Sequence, residues 1–498
     1  MVVPSATSPD FLSFFSCRSN KAGMVTAFYL AAERERAYKW RDDDKEYQAQ
    51  RDAPDKLQAP LTQSGSKLSS SESFSSIEPT FKTTLEKFVK SLRSFYDLVG
   101  INHAVISVFP EVFVAKEFSE YCKKSLSIVE RDGDYAIYGV PENQNPTLNR
   151  KLKRLGHLQD GISALPASIL MGLVARYDAN ISGLVRFLLQ NRKEKLASND
   201  RTVSVKDILS AKSFDDLVTG LIDDEIHTLM RGSHDDQVKY IEDNFSIKIR
   251  DGFKRWPDFI EVFERRNLSA HGEGFSNPRY VRICSAAKVS TESMLGLGDP
   301  VLLPDKYLRN SIDILMEFGI LLVWWLWLKQ APQDSDSAYL TINEVTYELI
   351  VERRYRLASR VLESALSRKT ENSSEIMRRM MAINLANCYK KIKNNAGLEA
   401  ALKIFDWTAS ADSYRISVAS LREDIDEVCN LMSKVTDDES VGKIGFREWP
   451  VFDWVRKNDR VKAKFKEVFG EPLEMASDSE RISPAHALEE QDFDDEVF

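Results

Sequence analysis

Near the middle of the chain, the stretch FIEVFERRNLSAHGEGF (residues 259–275) begins as an amphipathic helix and carries Arg266, Asn267 and His271 into its last turn, with Gly272 next. Histidine exchanges a proton near neutral pH, because its ordinary pKa is about 6.5. Arginine stays charged and offers a flat fork of donors that matches phosphate oxygens. Asparagine can orient either partner. Asn267 and His271 are four residues apart and share a helix face, whereas Arg266, five before His271, lies about 140° away on an ideal helix. A regular helix therefore separates the arginine from the histidine. Convergence needs one of two devices: fraying at Ala270 with Gly272 as a left-handed stop, or a two-fold pair of chains that brings two arginines and two histidines into one cleft. Plainer roles compete. Glu261 and Glu264 are close enough in sequence to pair with Arg266, and a histidine at a helix C-terminus interacts well with the dipole.

The elements around this stretch are expected to be helices. FKTTLEKFVKSLRSFYDLV puts Leu85, Phe88, Leu92 and Tyr96 on one stripe, and PEVFVAKEFSEYCKKSL reads as a second helix. After an uncertain region, YAIYGVPENQNPTLNRKLKRLGH, a long helix carries Leu170, Leu173, Tyr177, Ile181 and Leu184 at helical spacing. SFDDLVTGLIDDEIHTLM follows, and then SHDDQVKYIEDNF, where Ser233 as N-cap with Asp236 three residues on makes a loose capping box. Pro257 suits the start of the quoted helix, and KYLRNSIDILMEFGILLVWWLWLKQ closes a bundle over residues 161–332. Beyond APQDSDS, two helix pairs with tight polar turns read as tetratricopeptide-type hairpins over 338–470, capped by SYRISVASLREDIDEVCNLM and an aromatic segment. Residues 1–78, rich in charge clusters and serine, are expected to be mostly disordered; 79–160 form an N-terminal helical region, and 471–498 an acidic disordered tail. The fold class expected is all-α.

The quoted stretch resembles the signature of the HEPN superfamily: arginine, four to six residues, then histidine, often with Asn, Asp or His directly after the arginine. Arg266, Asn267 and His271 match it residue by residue. Arg150 with His157 and Arg481 with His486 match the spacing alone. The first pair lies in a lysine-rich connector and lacks the polar residue after arginine, while the second encloses Pro484 in an acidic tail. The wider likeness spans Ala164 to Gln330, about a third of the chain, where LVARYDANISGLVR and the quoted stretch look like bacterial HEPN proteins of defence or toxin type. The resemblance implies a metal-independent endoribonuclease that works as a homodimer on RNA without cofactor or metal. In that role His271 moves protons, Arg266 holds the phosphoryl oxygens, and Asn267 orients one of these two side chains or the phosphate. Some HEPN toxins carry a tyrosine two residues after the histidine, which a partner modifies; here that position is Glu273. Control by that route is therefore not expected here. The helical repeats become the expected place for regulation, through an antitoxin or sensor protein on their concave surface. A non-catalytic scaffold that dimerises or binds RNA without cutting it is the alternative.

Three further arginines and one aspartate are candidates for the RNA surface. Arg265 adjoins the motif; Arg279 and Arg282 in NPRYVRIC could grip phosphates or lie on a solvated strand or loop; Asp178 could face the same cleft or serve as a buried polar staple. Net charge of −8 excludes a molecule that is basic throughout, so any nucleic-acid site is a local patch. Five scattered cysteines without paired spacing indicate neither a disulfide framework nor a zinc site, in keeping with a cytoplasmic home. The N-terminus lacks the basic and apolar regions of a signal peptide, and Met24 is an alternative start. FGILLVWWLWL, Phe318–Leu328, is eleven residues long and too short for a spanning helix of about 20, so a buried core helix is expected and no membrane partner.

Overall fold

The computed structural model describes residues 80–109, 116–132, 135–196, 203–271, 274–368, 374–438 and 441–474, together with two N-terminal strands. The chain is predominantly helical, as expected, but it also holds one small antiparallel sheet that the all-α reading omitted. Strands β1 (Arg18–Ser19) and β2 (Thr26–Ala31) lie inside the segment expected to be disordered, and they pair with β3 (Ser127–Asp132) and β4 (Tyr135–Gly139) in the order β1-β2-β4-β3. Otherwise the disorder expected for 1–78 and for most of 471–498 lies outside the described residues.

Two compact units emerge, and the boundary differs from the expected one. The first helix, α1 (Phe81–Phe109), contributes its residues up to Ala104 to the larger unit, while 105–162 belong with the sheet. In the smaller unit, α2 (Lys116–Ser125) and α3 (Asn145–Ser163) accompany the sheet around Phe118, Cys122, Leu126, Tyr138, Val140 and Leu148. Burial raises the Cys122 thiol to about 11, which leaves it a packed, protonated side chain.

The larger unit is built on α4 (Leu165–Asn191), α5 (Val205–Ser210), α6 (Phe214–Met230), α7 (His234–Phe245), α8 (Ile249–Gly252), α9 (Trp256–His271), α10 (Pro278–Ala286) and α11 (Asp305–Gln330). Ser233 caps α7 in a reciprocal capping box with Asp236, as its sequence indicated. Two helical stretches, Glu142–Asn191 and Asp305–Gln330, are long and apolar enough by composition to cross a membrane; in the second, 94% of the apolar window is buried inside the protein. Thus α11 is the central core helix, and Gly319 is required there because a Cβ would lie 2.0 Å from the Phe88 ring.

Past α11 come α12 (Ser335–Val351) and α13 (Tyr355–Ser367), α14 (Glu375–Lys391) and α15 (Asn395–Leu402), then α16 (Asp412–Leu421) and α17 (Ile425–Met432), followed by α18 (Lys443–Glu448) and α19 (Asp459–Phe469). The segment expected to be a single capping helix is itself a hairpin, α16–α17. All three hairpins turn alike: Arg353, Lys393 and Glu423 sit at φ of 61°, 59° and 57°, and the next amide donates five residues back, to Leu349, Tyr389 and Ala419. This Schellman geometry usually employs glycine. The core does not break at the bundle's end: residues from Leu85 to Phe465 form one cluster. Buried Arg354 on the α12–α13 turn bonds Asp313 of α11 and lies 4.3 Å from the Tyr96 ring of α1, while Arg360 Nε donates to Glu317 Oε2 at 2.6 Å. The two acids ahead of the apolar run are thus the anchors of the first hairpin.

The same turn ends α10, where Lys288 has φ 61° and the Val289 amide donates to the Cys284 carbonyl at 3.0 Å. Val289 and Cys284 pack together in a satellite core, as the motif requires. Lys288 is exposed, and a left-handed backbone costs an L-residue about 1–2 kcal/mol. Lys288→Gly is expected to stabilise the protein by about 0.5–1 kcal/mol, read as a higher urea midpoint.

Candidate functional site at the end of one bundle helix

Helix α9 carries two stripes with different destinations. Phe259, Val262 and Phe263 recur at helical spacing and are buried, with Phe259 set 4.3 Å from the Phe318 ring and Phe263 5.4 Å from the Tyr177 ring, centroid to centroid. The next member of that stripe is Arg266. On the other side, Glu261, Arg265 and Leu268 are buried against α10 and the loop that follows it.

The two adjacent arginines therefore have opposite fates. Arg265 is only 6% exposed, and its guanidinium is committed on every side. Its Nε donates to Glu261 Oε1 at 2.6 Å, its two terminal nitrogens donate to the carbonyls of Leu302 and Ser293 at 3.3 and 2.9 Å, and its plane lies 4.2 Å from the Tyr307 ring. Glu261 also accepts from the hydroxyls of Tyr280 and Tyr307 at 2.7 and 2.8 Å. Burial pushes the Glu261 carboxyl up, and Arg265 with the two hydroxyls pulls against that. The RNA contact expected of Arg265 is thus corrected: the residue is a buried staple holding the 288–304 loop to α9.

Arg266 keeps none of the partners its neighbours suggest. Glu261 is claimed by Arg265, and Glu264 Oε1 accepts instead from Asn267 Nδ2 at 3.2 Å. The Nε of Arg266 is buried and makes no hydrogen bond. The local ion pair weighed for it is absent among the described residues, and an unsatisfied buried donor of this kind costs about 1–3 kcal/mol until something accepts from it.

His271 is exposed and is the last helical residue, one turn beyond Asn267 on the same ridge. The helix runs through Ala270 to His271, and Gly272 and Glu273 lie outside the described residues. In a single chain Arg266 and His271 therefore stay about 140° apart around the axis and about 7.5 Å apart along it.

Asp178 proves to be a partner in a pair rather than an independent site residue. Its Oδ1 lies 2.9 Å from His234 Nε2, within hydrogen-bond reach, and the imidazole stacks on Phe263 with centroids 3.5 Å apart. The staple alternative describes it best. His234 escaped the sequence reading because it stands 56 residues from Asp178, and only its place behind the N-cap Ser233 was legible. Its stacking partner Phe263 lies on the ridge that continues through Asn267 to His271. Arg279 and Arg282 lie on helix α10, not on a strand or loop; both are exposed, three residues apart on the face opposite buried Tyr280 and Cys284.

The loop after the motif presents an apolar edge. Phe275 bridges Pro300, the Val301 amide donates to Gly274 O at 2.8 Å, and the Ser276 amide donates to Asp299 O at 2.8 Å. Alternation turns Ser276 and Val301 inward and leaves Phe275 and Leu302 outward, at 55% and 63% exposure, beside Leu297 at 66%. No protein-family model matches the chain, nor does any curated protein or solved structure.

Proposed function

We propose that the chain is a metal-independent endoribonuclease of HEPN type, with Arg266, Asn267 and His271 as its working residues, active as a homodimer. The observation that carries this reading is Arg266: of the six arginines with a buried, unbonded nitrogen among the described residues, it alone has no ion pair or ring partner, and it stands one residue from a twin that has been wholly absorbed into the core. Its two terminal nitrogens form no hydrogen bond among the described residues and, unlike Nε, are not buried, so the fork can meet an anion that arrives from outside. The 2′-hydroxyl of RNA would attack the adjacent phosphorus; a base removes its proton, an acid protonates the leaving 5′-oxygen, and the products end in a 2′,3′-cyclic phosphate and a 5′-hydroxyl. His271 of each copy would serve one proton step, with Arg266 on the phosphoryl oxygens.

The second copy supplies what one helix geometry denies, and the apolar edge of Phe275, Leu297 and Leu302 beside the motif supports an interface there. Leu302→Asp is expected to shift the protein to monomer in sedimentation and to lower cleavage in the same preparation; a monomer that cleaves at the unaltered rate removes the dimer from the mechanism. Purified protein incubated with total RNA in EDTA tests the nuclease itself. Cleavage with cyclic phosphate ends, lost in Arg266→Ala and His271→Ala, supports it, and equal behaviour of all three proteins overturns it.

The bundle with α9 corresponds in this reading to the HEPN-like part, and α12–α17 to tetratricopeptide-like hairpins that bind an antitoxin or sensor. Support for the second half is the threefold use of one turn geometry. A toxin or antiviral role follows from the resemblance. The rival reading, a scaffold that dimerises or holds RNA without cutting, is favoured by one observation: α9 stays helical to His271, so a single chain does not assemble the pair. RNA binding without cleavage in the EDTA assay would select it.

A further inference from the structure

The connector that carries the second arginine-histidine spacing is a helix of 19 residues, α3 (Asn145–Ser163). It forms because Leu148, Leu152 and Leu155, at i, i+4 and i+7, pack on Phe118, Cys122 and Tyr138 of the smaller unit. Its outward side is different in kind. Arg150, Lys153, Arg154 and His157 follow at i, i+3, i+4 and i+7, so they form one stripe, and all four are exposed. The stripe extends about 10 Å along the axis, roughly the length of three phosphates of one strand at about 3.4 Å each.

Among the described residues, no carboxylate pairs with the charges on this stripe. Buried or half-buried cations of the larger unit such as Arg250, Arg265 and Arg360 each face a carboxylate, whereas Lys153, Arg154 and His157 make no ion pair among the described residues. Arg150 reaches only Pro146 O and Thr147 Oγ1 of its own helix, each at 3.4 Å. Asp160 is the helix's sole acid. Lys151, on the flank, is turned to the Tyr121 ring at 5.1 Å. In a chain of net charge −8, four cations against one carboxylate on a single helix are a local reversal of sign.

We propose that the outer face of α3 binds the phosphodiester backbone of an RNA strand. An anionic membrane is the competing surface, but an interfacial helix needs an outward apolar face. On α3 Leu148, Leu152 and Leu155 are turned into the unit's core, and no large hydrophobic side chain of the helix is exposed. The inference deepens the nuclease reading by giving its substrate a second, sequence-independent foothold. It is read in binding, so the two can fail separately.

The test uses the full chain carrying His271→Ala, so that RNA survives, and a fluorescein-labelled single-stranded RNA of thirty mixed nucleotides. Replacing Arg150, Lys153 and Arg154 together by glutamine is expected to weaken binding at least tenfold at 0.1 M salt. The slope of log K on log salt should shrink by about 2, at about 0.7 for each phosphate no longer neutralised. Asp160→Lys should tighten binding and steepen the slope, an effect that misfolding cannot mimic. Unchanged affinity and slope in both variants overturn the proposal, as does an effect confined to phosphatidylserine vesicles. If no version of the protein cleaves RNA while binding still follows the stripe, the nuclease reading falls and this one stands.

Discussion

Alanine in place of His271 is expected to lower the rate of RNA cleavage by about 10²–10⁴-fold, the usual contribution of a positioned proton-transfer group. The side chain is exposed at a helix end, so its removal touches no core packing, and thermal denaturation should be unchanged within the scatter of surface substitutions, about 0.5 kcal/mol. Arg266→Ala should cost about 10²–10³-fold by removing one preorganised donor set from the charge that builds on phosphorus. Mixed dimers sharpen the point. If each copy contributes one histidine to each cleft, co-expression of wild-type and His271→Ala chains should give heterodimers with strongly reduced activity rather than half. Activity near half in the isolated heterodimer would show that each chain cuts alone, which the separation along α9 makes incompatible with the mechanism proposed.

The second large effect divides the adjacent arginines by stability. Arg265→Ala strands Glu261 in the core, where a carboxylate deprived of its cation costs about 3–5 kcal/mol. It also frees the carbonyls of Ser293 and Leu302 that hold the 288–304 loop. A fall of that size in urea denaturation is expected for Arg265→Ala. Arg266→Ala should instead be neutral or slightly stabilising, because it removes a buried donor that has no acceptor. Equal losses in the two variants would make Arg266 a packing residue and take away the basis for its phosphate role.

Much of this site was legible in one dimension, because helical periodicity is a local property. The stripe of Phe259, Val262 and Phe263, the capping box at Ser233 and the buried α11 each follow from spacing and residue type within a few turns. The third hairpin was not legible, since its first helix has only 10 residues against 17 in each of the other two, and its turn, like theirs, carries no glycine to mark it. Helix α3 was hidden by the scarcity of its apolar residues among charges. The pairing of β2 with β4 was missed because it spans more than a hundred residues, and no local pattern reports a partner that distant.

By itself, then, the order of residues determined that the chain is mainly helical, that α9 ends in an arginine, an asparagine and a histidine, and that its apolar stripe runs into Arg266. Only the tertiary structure decided which of two neighbouring arginines is absorbed and which is left over. That choice depends on what lies across each face of α9: Tyr280, Tyr307 and the 288–304 loop surround Glu261 and Arg265, while the buried Nε of Arg266 meets no acceptor. The same holds for Asp178, whose partner His234 arrives from another helix. A side chain's direction is set by the helix that bears it, but its partners are set by packing between distant segments, and packing energy is not written in the spacing of any one of them.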